Sequence, residues 1–172
     1  MSLLLASGLL TLAFLILFWL TPLGAPALRK IGHGKPSPDL TFGYRPDETY
    51  ELIDSYGARG IAHWRRLLLL DLVFPATYAL FLALVMDRWV HWAGAGPGWR
   101  GLAMACPIVS ACADYAENLL LLRVLAALPR RHPVMVSAAS LFTRIKFAAF
   151  VLTLVLPLLF AGFGQACALW RW

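Results

Sequence analysis

Hydrophobic residues occur in long blocks along this chain rather than at scattered positions. Four blocks approach the roughly 20 residues that an apolar helix needs to cross a bilayer. They are Leu3–Leu20, Leu67–Met86, Leu102–Leu122 and Phe147–Ala166. The first and fourth contain no charged residue, the second contains only Asp71, and the third contains only Asp114 and Glu117. The pattern predicts an all-α integral membrane protein built as a bundle of four transmembrane helices.

The connections between these blocks differ in charge, and the difference predicts an orientation. The predicted spans, all in one membrane domain that covers residues 1–172, are about 3–22, 66–88, 101–124 and 143–166. Arg and Lys are concentrated in the first loop, 23–65, and in the connection 123–146. Because basic loops favour the cytoplasmic side, we expect both connections in the cytoplasm and both termini outside it. The corresponding location is a bacterial inner membrane.

The first loop is predicted to contain a short helix of its own. Pro46 suits the first helical position, and the next two residues, Asp47 and Glu48, are acids that favour a helix N-terminus. Gly57 follows where the helix should end. These signals predict a helix over about 46–56 that lies at the membrane interface or caps the bundle.

The overall composition agrees with a membrane protein. The chain is 60% hydrophobic with a mean hydropathy of +0.71, whereas soluble domains are about 45–50% apolar. The net charge of +6 comes from basic residues at the block ends, so we expect a membrane lipid as partner and no nucleic acid. No glycine-rich phosphate loop, Gly-x-Ser-x-Gly elbow or Walker pattern is present, and no motif identifies a cofactor.

Polar residues within the predicted spans fall on shared helix faces. Residues three, four and seven positions apart lie on one face of a helix. On the third span this rule groups Ser110, Asp114, Glu117 and Asn118. On the second span it groups Asp71 with Tyr78, and on the fourth it puts Arg144 and Lys146 on different faces.

These polar residues also share a depth. At a rise of ~1.5 Å per residue, Asp71 lies roughly 7 Å inside the cytoplasmic boundary, Glu117 roughly 9 Å and Asp114 roughly 13 Å. Lys146 opens the fourth span at the same boundary. Pro75 adds to this layer, because a proline inside a helix leaves the carbonyl four residues earlier, that of Asp71, without its donor. We therefore predict one polar cavity in the cytoplasmic third, formed by three helices.

A charged group in hydrocarbon is costly unless it is paired or faces a polar cavity, so this layer is a candidate functional site. The leading interpretation is a membrane-embedded enzyme that acts on a lipid or isoprenoid-like substrate by acid/base chemistry. The expected catalytic residues are Asp71, Asp114 and Glu117. The expected substrate-binding residues are Tyr78, Asn118, Arg144 and Lys146. The two basic residues of this set would hold an anionic headgroup.

Other interpretations of the polar layer stay open. A small proton-linked carrier would form homo-oligomers, because four spans enclose little volume, but it should also place polar groups in the opposite half of the bilayer. A non-catalytic membrane subunit or assembly factor would use the layer to hold helices together. His63 and His132 lie on the same side, but neither belongs to a paired histidine motif, and we expect no metal site.

Overall fold

The structure is a computed structural model that describes residues 2–94 and 96–169, with side chains described for 3–94 and 96–158. Within these residues the chain forms α-helices and one short 3₁₀ turn at Pro38–Leu40, and no strand. The helices are α1 (Ser2–Leu20), α2 (Ala25–Ile31), α3 (Pro46–Leu70), α4 (Phe74–Trp92), α5 (Pro97–Ala127) and α6 (Pro133–Leu169).

Three helical regions among the described residues are long and apolar enough to cross a membrane, which indicates a membrane protein. These regions are Leu3–Ile31, Pro46–Trp92 and Pro133–Leu158. The helix α5, which contains the third predicted span, is not among them. Its polar residues Asp114, Glu117 and Asn118 lower its hydropathy, so length and composition alone do not identify it as a span.

The region of the second predicted span is two helices rather than one. The helix α3 ends at Leu70, residues 71–73 form a turn, and α4 begins at Phe74. Pro75 therefore lies in the first turn of α4, where a proline removes no helical hydrogen bond. The expectation that Pro75 lies inside a helix and interrupts its hydrogen bonding at the Asp71 carbonyl is wrong. Asp71 instead contributes to the polar layer through its side chain, which lies at the break between α3 and α4.

The predicted loop helix is the first part of α3 and is more deeply packed than an interfacial helix would be. It begins at Pro46, and a non-helical residue, Gly57 (φ 58°, ψ −176°), separates it from the second part of α3. Its apolar side chains Tyr50, Ile53 and Tyr56 are buried in the main hydrophobic core. The acidic residues Asp47, Glu51 and Asp54 on its other side are exposed. The helix thus closes one end of the bundle.

The helix α5 lies between α4 and α6 and turns its polar stripe toward them. Its buried residues include Ser110, Asp114, Glu117 and Asn118. On the outward side, apolar side chains such as Leu102, Ile108 and Leu119 are about half exposed. The helix therefore buries polar residues inside the bundle and exposes large apolar side chains on its outward face, whereas a helix on the surface of a soluble protein exposes its polar side.

Replacing Gly57 with alanine should lower the free energy of unfolding by about 1–3 kcal/mol, because the backbone conformation here is one that residues other than glycine rarely adopt. No heavy atom lies within 4 Å of the added Cβ, so the loss would come from the backbone alone. Thermal unfolding of the purified protein in detergent measures the effect. The control is Gly101→Ala in α5, where the Cβ also meets nothing and the helix should gain about 0.5–1 kcal/mol. Equal melting temperatures for the two variants would contradict the assigned geometry of Gly57.

Candidate functional site

A cavity of about 400 Å³ opens where α1, α4, α5 and α6 meet the break at Asp71. Most of its wall is apolar and aromatic. The larger side chains in this wall are Leu15, Phe18, Trp19, Phe74, Phe81, Leu82, Phe147 and Phe150. Its polar or charged lining residues are Thr11, Ser37, Asp39, Asp71, Tyr78, Ser110, Asp114 and Lys146. Both the volume and the mixture of apolar wall and few polar groups are typical of a small-molecule site.

The ammonium group of Lys146 is surrounded by acceptors. Its Nζ lies 2.6 Å from Oε2 of Glu117 and 3.2 Å from Oδ1 of Asp114. It also donates to the backbone carbonyl of Asp39 over 3.4 Å. The lysine side chain is only 14% exposed, so these contacts replace water around the charge. An ammonium group has three N–H donors, and each of them has an acceptor here.

Glu117 lies behind Lys146 and does not line the cavity. Its side chain is fully buried. Besides Lys146, it accepts hydrogen bonds from the hydroxyl groups of Thr143 and Tyr44, at 2.5 and 3.3 Å. Burial and the neighbouring carboxylate raise the pKa of Tyr44 above its usual range, so this hydroxyl keeps its proton and remains a donor. These contacts give Glu117 a positioning role for Lys146 rather than access to a ligand.

Asp114 does line the cavity, and two neighbouring helices fix its side chain. Its Oδ1 accepts from Lys146 of α6, and its Oδ2 accepts from the hydroxyl of Tyr78 of α4 over 3.2 Å. The Tyr78 hydroxyl also lies 3.2 Å from Ser110 Oγ, which donates to the backbone carbonyl of Lys146. Ser110 and Asp114 are four residues apart and so face the same way on α5.

Asp71 reaches the cavity from the break between α3 and α4. Its Oδ2 accepts a hydrogen bond of 2.8 Å from the side-chain amide of Asn118. Asn118 is fully buried, and its own Oδ1 has no hydrogen-bond partner among the described residues. Asn118 does not line the cavity, so it holds Asp71 in place from behind, as Glu117 holds Lys146.

Arg144 is not part of this arrangement. Its side chain is exposed and packs over Gly43, where an added Cβ would lie 2.7 Å from the Arg144 Nε. It lines a separate surface pocket with Tyr44, Arg45 and Ser140, among others. Two residues along a helix correspond to about 200° of rotation, so Arg144 cannot share the face that Lys146 presents to the cavity. The structure thus brings together six of the seven predicted site residues, four at the cavity wall and two behind it.

The two predicted loop histidines also lie apart from the site. His63 is 3.4 Å from the backbone carbonyl of Gly24, and the backbone amide of His132 donates to the Tyr50 hydroxyl. Among the described residues, no group of three or more His, Cys, Asp or Glu side chains is arranged to hold a metal ion.

The structure adds residues to the site that the sequence pattern did not single out. Asp39 belongs to the 3₁₀ turn, and its Oδ1 accepts a hydrogen bond of 3.1 Å from Trp64 Nε1. Tyr44 is held by its backbone amide, which donates to Ser140 Oγ over 2.9 Å. Both residues lie in a non-periodic stretch of the first loop, where no helical spacing marks them. Thr143, whose hydroxyl donates to Glu117, differs from these two residues, because its helical spacing had already placed it on one face with Lys146.

Comparisons of the chain with known protein families, with curated proteins and with solved structures find no match in any of the three. The case for a function therefore rests on the chemistry of the cavity.

Glu117→Gln should lower the free energy of unfolding by about 3–5 kcal/mol, because it removes the closest counter-charge of a buried lysine. Thermal and chemical unfolding in detergent measure the loss. The matched control is Asp54→Asn, which breaks an ion pair with Arg131 in which both side chains are more than half exposed. That loss should be about 0–1 kcal/mol.

A double-mutant cycle tests whether the loss comes from the ion pair itself. The variant carrying both Glu117→Gln and Lys146→Met should lose less stability than the sum of the two single variants, because residues in direct contact are not additive. Additive losses would show that Glu117 stabilises the fold independently of Lys146.

Proposed function

We propose that this chain is a membrane-embedded enzyme that acts on a lipid or isoprenoid-like substrate by acid/base chemistry. The observation that carries the proposal is the placement of two carboxylates, Asp71 and Asp114, in the wall of an otherwise largely apolar cavity of about 400 Å³. A membrane lipid has the matching chemistry, an apolar body joined to a polar head. Carboxylates in a water-poor cavity are groups that enzymes use to move protons.

The residues of the site take different roles in this proposal. Asp71 and Asp114 touch the substrate and exchange protons with it, and Tyr78 contacts the substrate head while it orients Asp114. Lys146 supplies the positive charge beside Asp114. Glu117 and Asn118 are positioning residues, since neither lines the cavity. From the sequence pattern, Glu117 was expected to be catalytic and Asn118 to bind substrate. The proposal gives both residues a positioning role instead.

Four membrane spans, with α5 as the third, fit the proposed function best. The inward face of α5 carries its polar residues, whereas Leu102, Ile108, Val109 and Leu119 are exposed on the outward face. Lipid would contact only the apolar side, so the charged residues that lower the hydropathy of α5 need not oppose insertion. The break at Asp71 then lies inside the membrane, where irregular backbone is tolerated if it lines a cavity.

We place the protein in a bacterial inner membrane, and the distribution of its basic residues supports an orientation with both termini outside the cytoplasm. Arg29, Lys30 and Lys35 are exposed in the first loop, and Arg123, Arg130 and Arg131 lie toward the α5–α6 connection. In this orientation the carboxylate end of the cavity faces the cytoplasmic leaflet. An enzyme in that position would take its substrate laterally from the lipid.

Asp114→Asn and Asp71→Asn should each abolish turnover while the protein still folds, because asparagine keeps the shape of the side chain but cannot exchange a proton. The assay compares the lipid extract of membranes incubated with the purified wild-type protein and with each variant, by untargeted mass spectrometry. One or more lipid species should change with the wild type and not with the variants. Asp54→Asn, on the exposed side of α3, should match the wild type. A lipid profile that no form of the protein alters would contradict the enzyme proposal.

The proposed orientation predicts how the first loop reacts with an impermeant thiol reagent. A cysteine introduced at Lys35, in a background that lacks the three native cysteines, should be labelled in broken cells but not in intact cells. Strong labelling of position 35 in intact cells would reverse the orientation.

A further inference from the structure

The polar part of the cavity has a marked charge imbalance. Three aspartates line it, Asp39, Asp71 and Asp114, whereas Lys146 is the one Lys or Arg side chain among the lining residues that the structure describes. We propose that the ligand of this cavity is an amphipathic amine, with a cationic, hydrogen-bond-donating head on an apolar body. The inference rests on the proposed function and names its substrate class, and it replaces the anionic headgroup that the sequence pattern indicated.

Lys146 cannot serve as an anion-binding residue in this arrangement. Its three N–H donors are directed at Glu117, Asp114 and the Asp39 carbonyl. A phosphate or carboxylate on the ligand would have to displace one of these acceptors and leave a buried carboxylate without its partner. Such a displacement is costly, because an unpaired buried charge loses both its counter-charge and its hydration.

Arg144 and Arg45 cannot bind an anionic head in place of Lys146, because both line the separate surface pocket rather than the cavity. An anionic head in the cavity would therefore meet three carboxylates and no unengaged cation among the described lining residues. Like charges at close range in a low-dielectric site repel strongly. The arrangement selects against phosphate-bearing lipids.

Asp71 is the group that is placed to receive a cationic head. Its described hydrogen bond comes from a neutral amide, Asn118, and engages only Oδ2. A carboxylate can accept about four hydrogen bonds, so Asp71 retains acceptor capacity on the side that lines the cavity. An ammonium group there would form the direct ion pair with Asp71 that no described Lys or Arg side chain forms, since Lys146 contacts Asp114 and Glu117 instead.

The apolar wall favours the same class of ligand. Phe74, Phe81 and Phe150 line the cavity together with Trp19. Aromatic faces attract cations as well as hydrocarbon, so a protonated amine with an apolar tail is compatible with both parts of the lining. An uncharged alcohol would match the wall but would leave the excess negative charge uncompensated.

The test uses three probes that share one tail and differ in the head: 4-phenylbutylamine, 4-phenylbutanol and 4-phenylbutyl phosphate. Binding to the full chain in lipid nanodiscs is measured by calorimetry at pH 7, where the amine is protonated. We expect the amine to bind at least ten times more tightly than either other probe. Asp71→Asn should reduce the affinity for the amine by at least tenfold and leave the affinity for the alcohol within about twofold, whereas Asp54→Asn should change neither.

The possible results separate the amine inference from the proposed enzyme function. Equal or tighter binding of the phosphate or the alcohol would overturn the amine inference and leave the proposed lipid enzyme in place. Absence of binding by all three probes would overturn the inference and remove the cavity that supports the enzyme proposal. If Asp71→Asn does not fold, Asp71→Glu, which keeps the charge, should retain the preference for the amine, and the ranking of the three probes on the wild type still decides.

Discussion

The arrangement of the site depends on a buried ammonium group that three acceptors from two other parts of the chain must satisfy. Removing a lysine from water costs several kcal/mol, and attraction to well-placed acceptors has to offset that cost. Lys146 of α6 finds these acceptors in two side chains of α5 and in the backbone of the 3₁₀ turn. Because the three acceptors must converge on one atom, the contact fixes the rotation of α5 against α6 and holds the first loop over the bundle.

A second constraint follows from this convergence. With Lys146 committed to α5 and the loop, the carboxylate at the α3–α4 break has to be stabilised by neutral groups, and Asn118 provides the described hydrogen bond. Asp71 follows the last residue of α3, where the chain turns, and its side chain lines the cavity. Asp71 therefore lines the cavity with a hydrogen bond from a neutral group and without an ion pair to a described Lys or Arg side chain.

Helical spacing and depth along the predicted spans predicted most of the residues that the structure brings together at the site. The spacing of Asp114, Glu117 and Asn118 placed them on one face, and the depth of Asp71 brought it to the same layer. Spacing could not predict Asp39 and Tyr44, because they come from a non-periodic loop whose path is set by tertiary contacts with Trp64 and Ser140. It also could not separate residues at the cavity wall from residues behind it, since that distinction depends on how neighbouring helices pack. The break at residues 71–73 was missed because an apolar run reads the same way across one helix or two.

Some buried acids of this chain line the cavity, and others lie behind it. This difference helps to explain why the chain contains several buried acids. Replacing a buried ion pair by apolar residues is often neutral or stabilising, so stability alone does not explain Glu117, Asp114 and Lys146. A structural layer that served only to hold helices together would satisfy its own charges and leave none facing an apolar cavity. Here Glu117, which has the most protein donors, is enclosed, whereas Asp71, with one described donor, lines the cavity. On the proposed function, Lys146 fixes Asp114 and Glu117, and Asp71, which forms no ion pair with a described Lys or Arg side chain, is the lining carboxylate left to a ligand. This difference favours a binding site over a simple contact between helices.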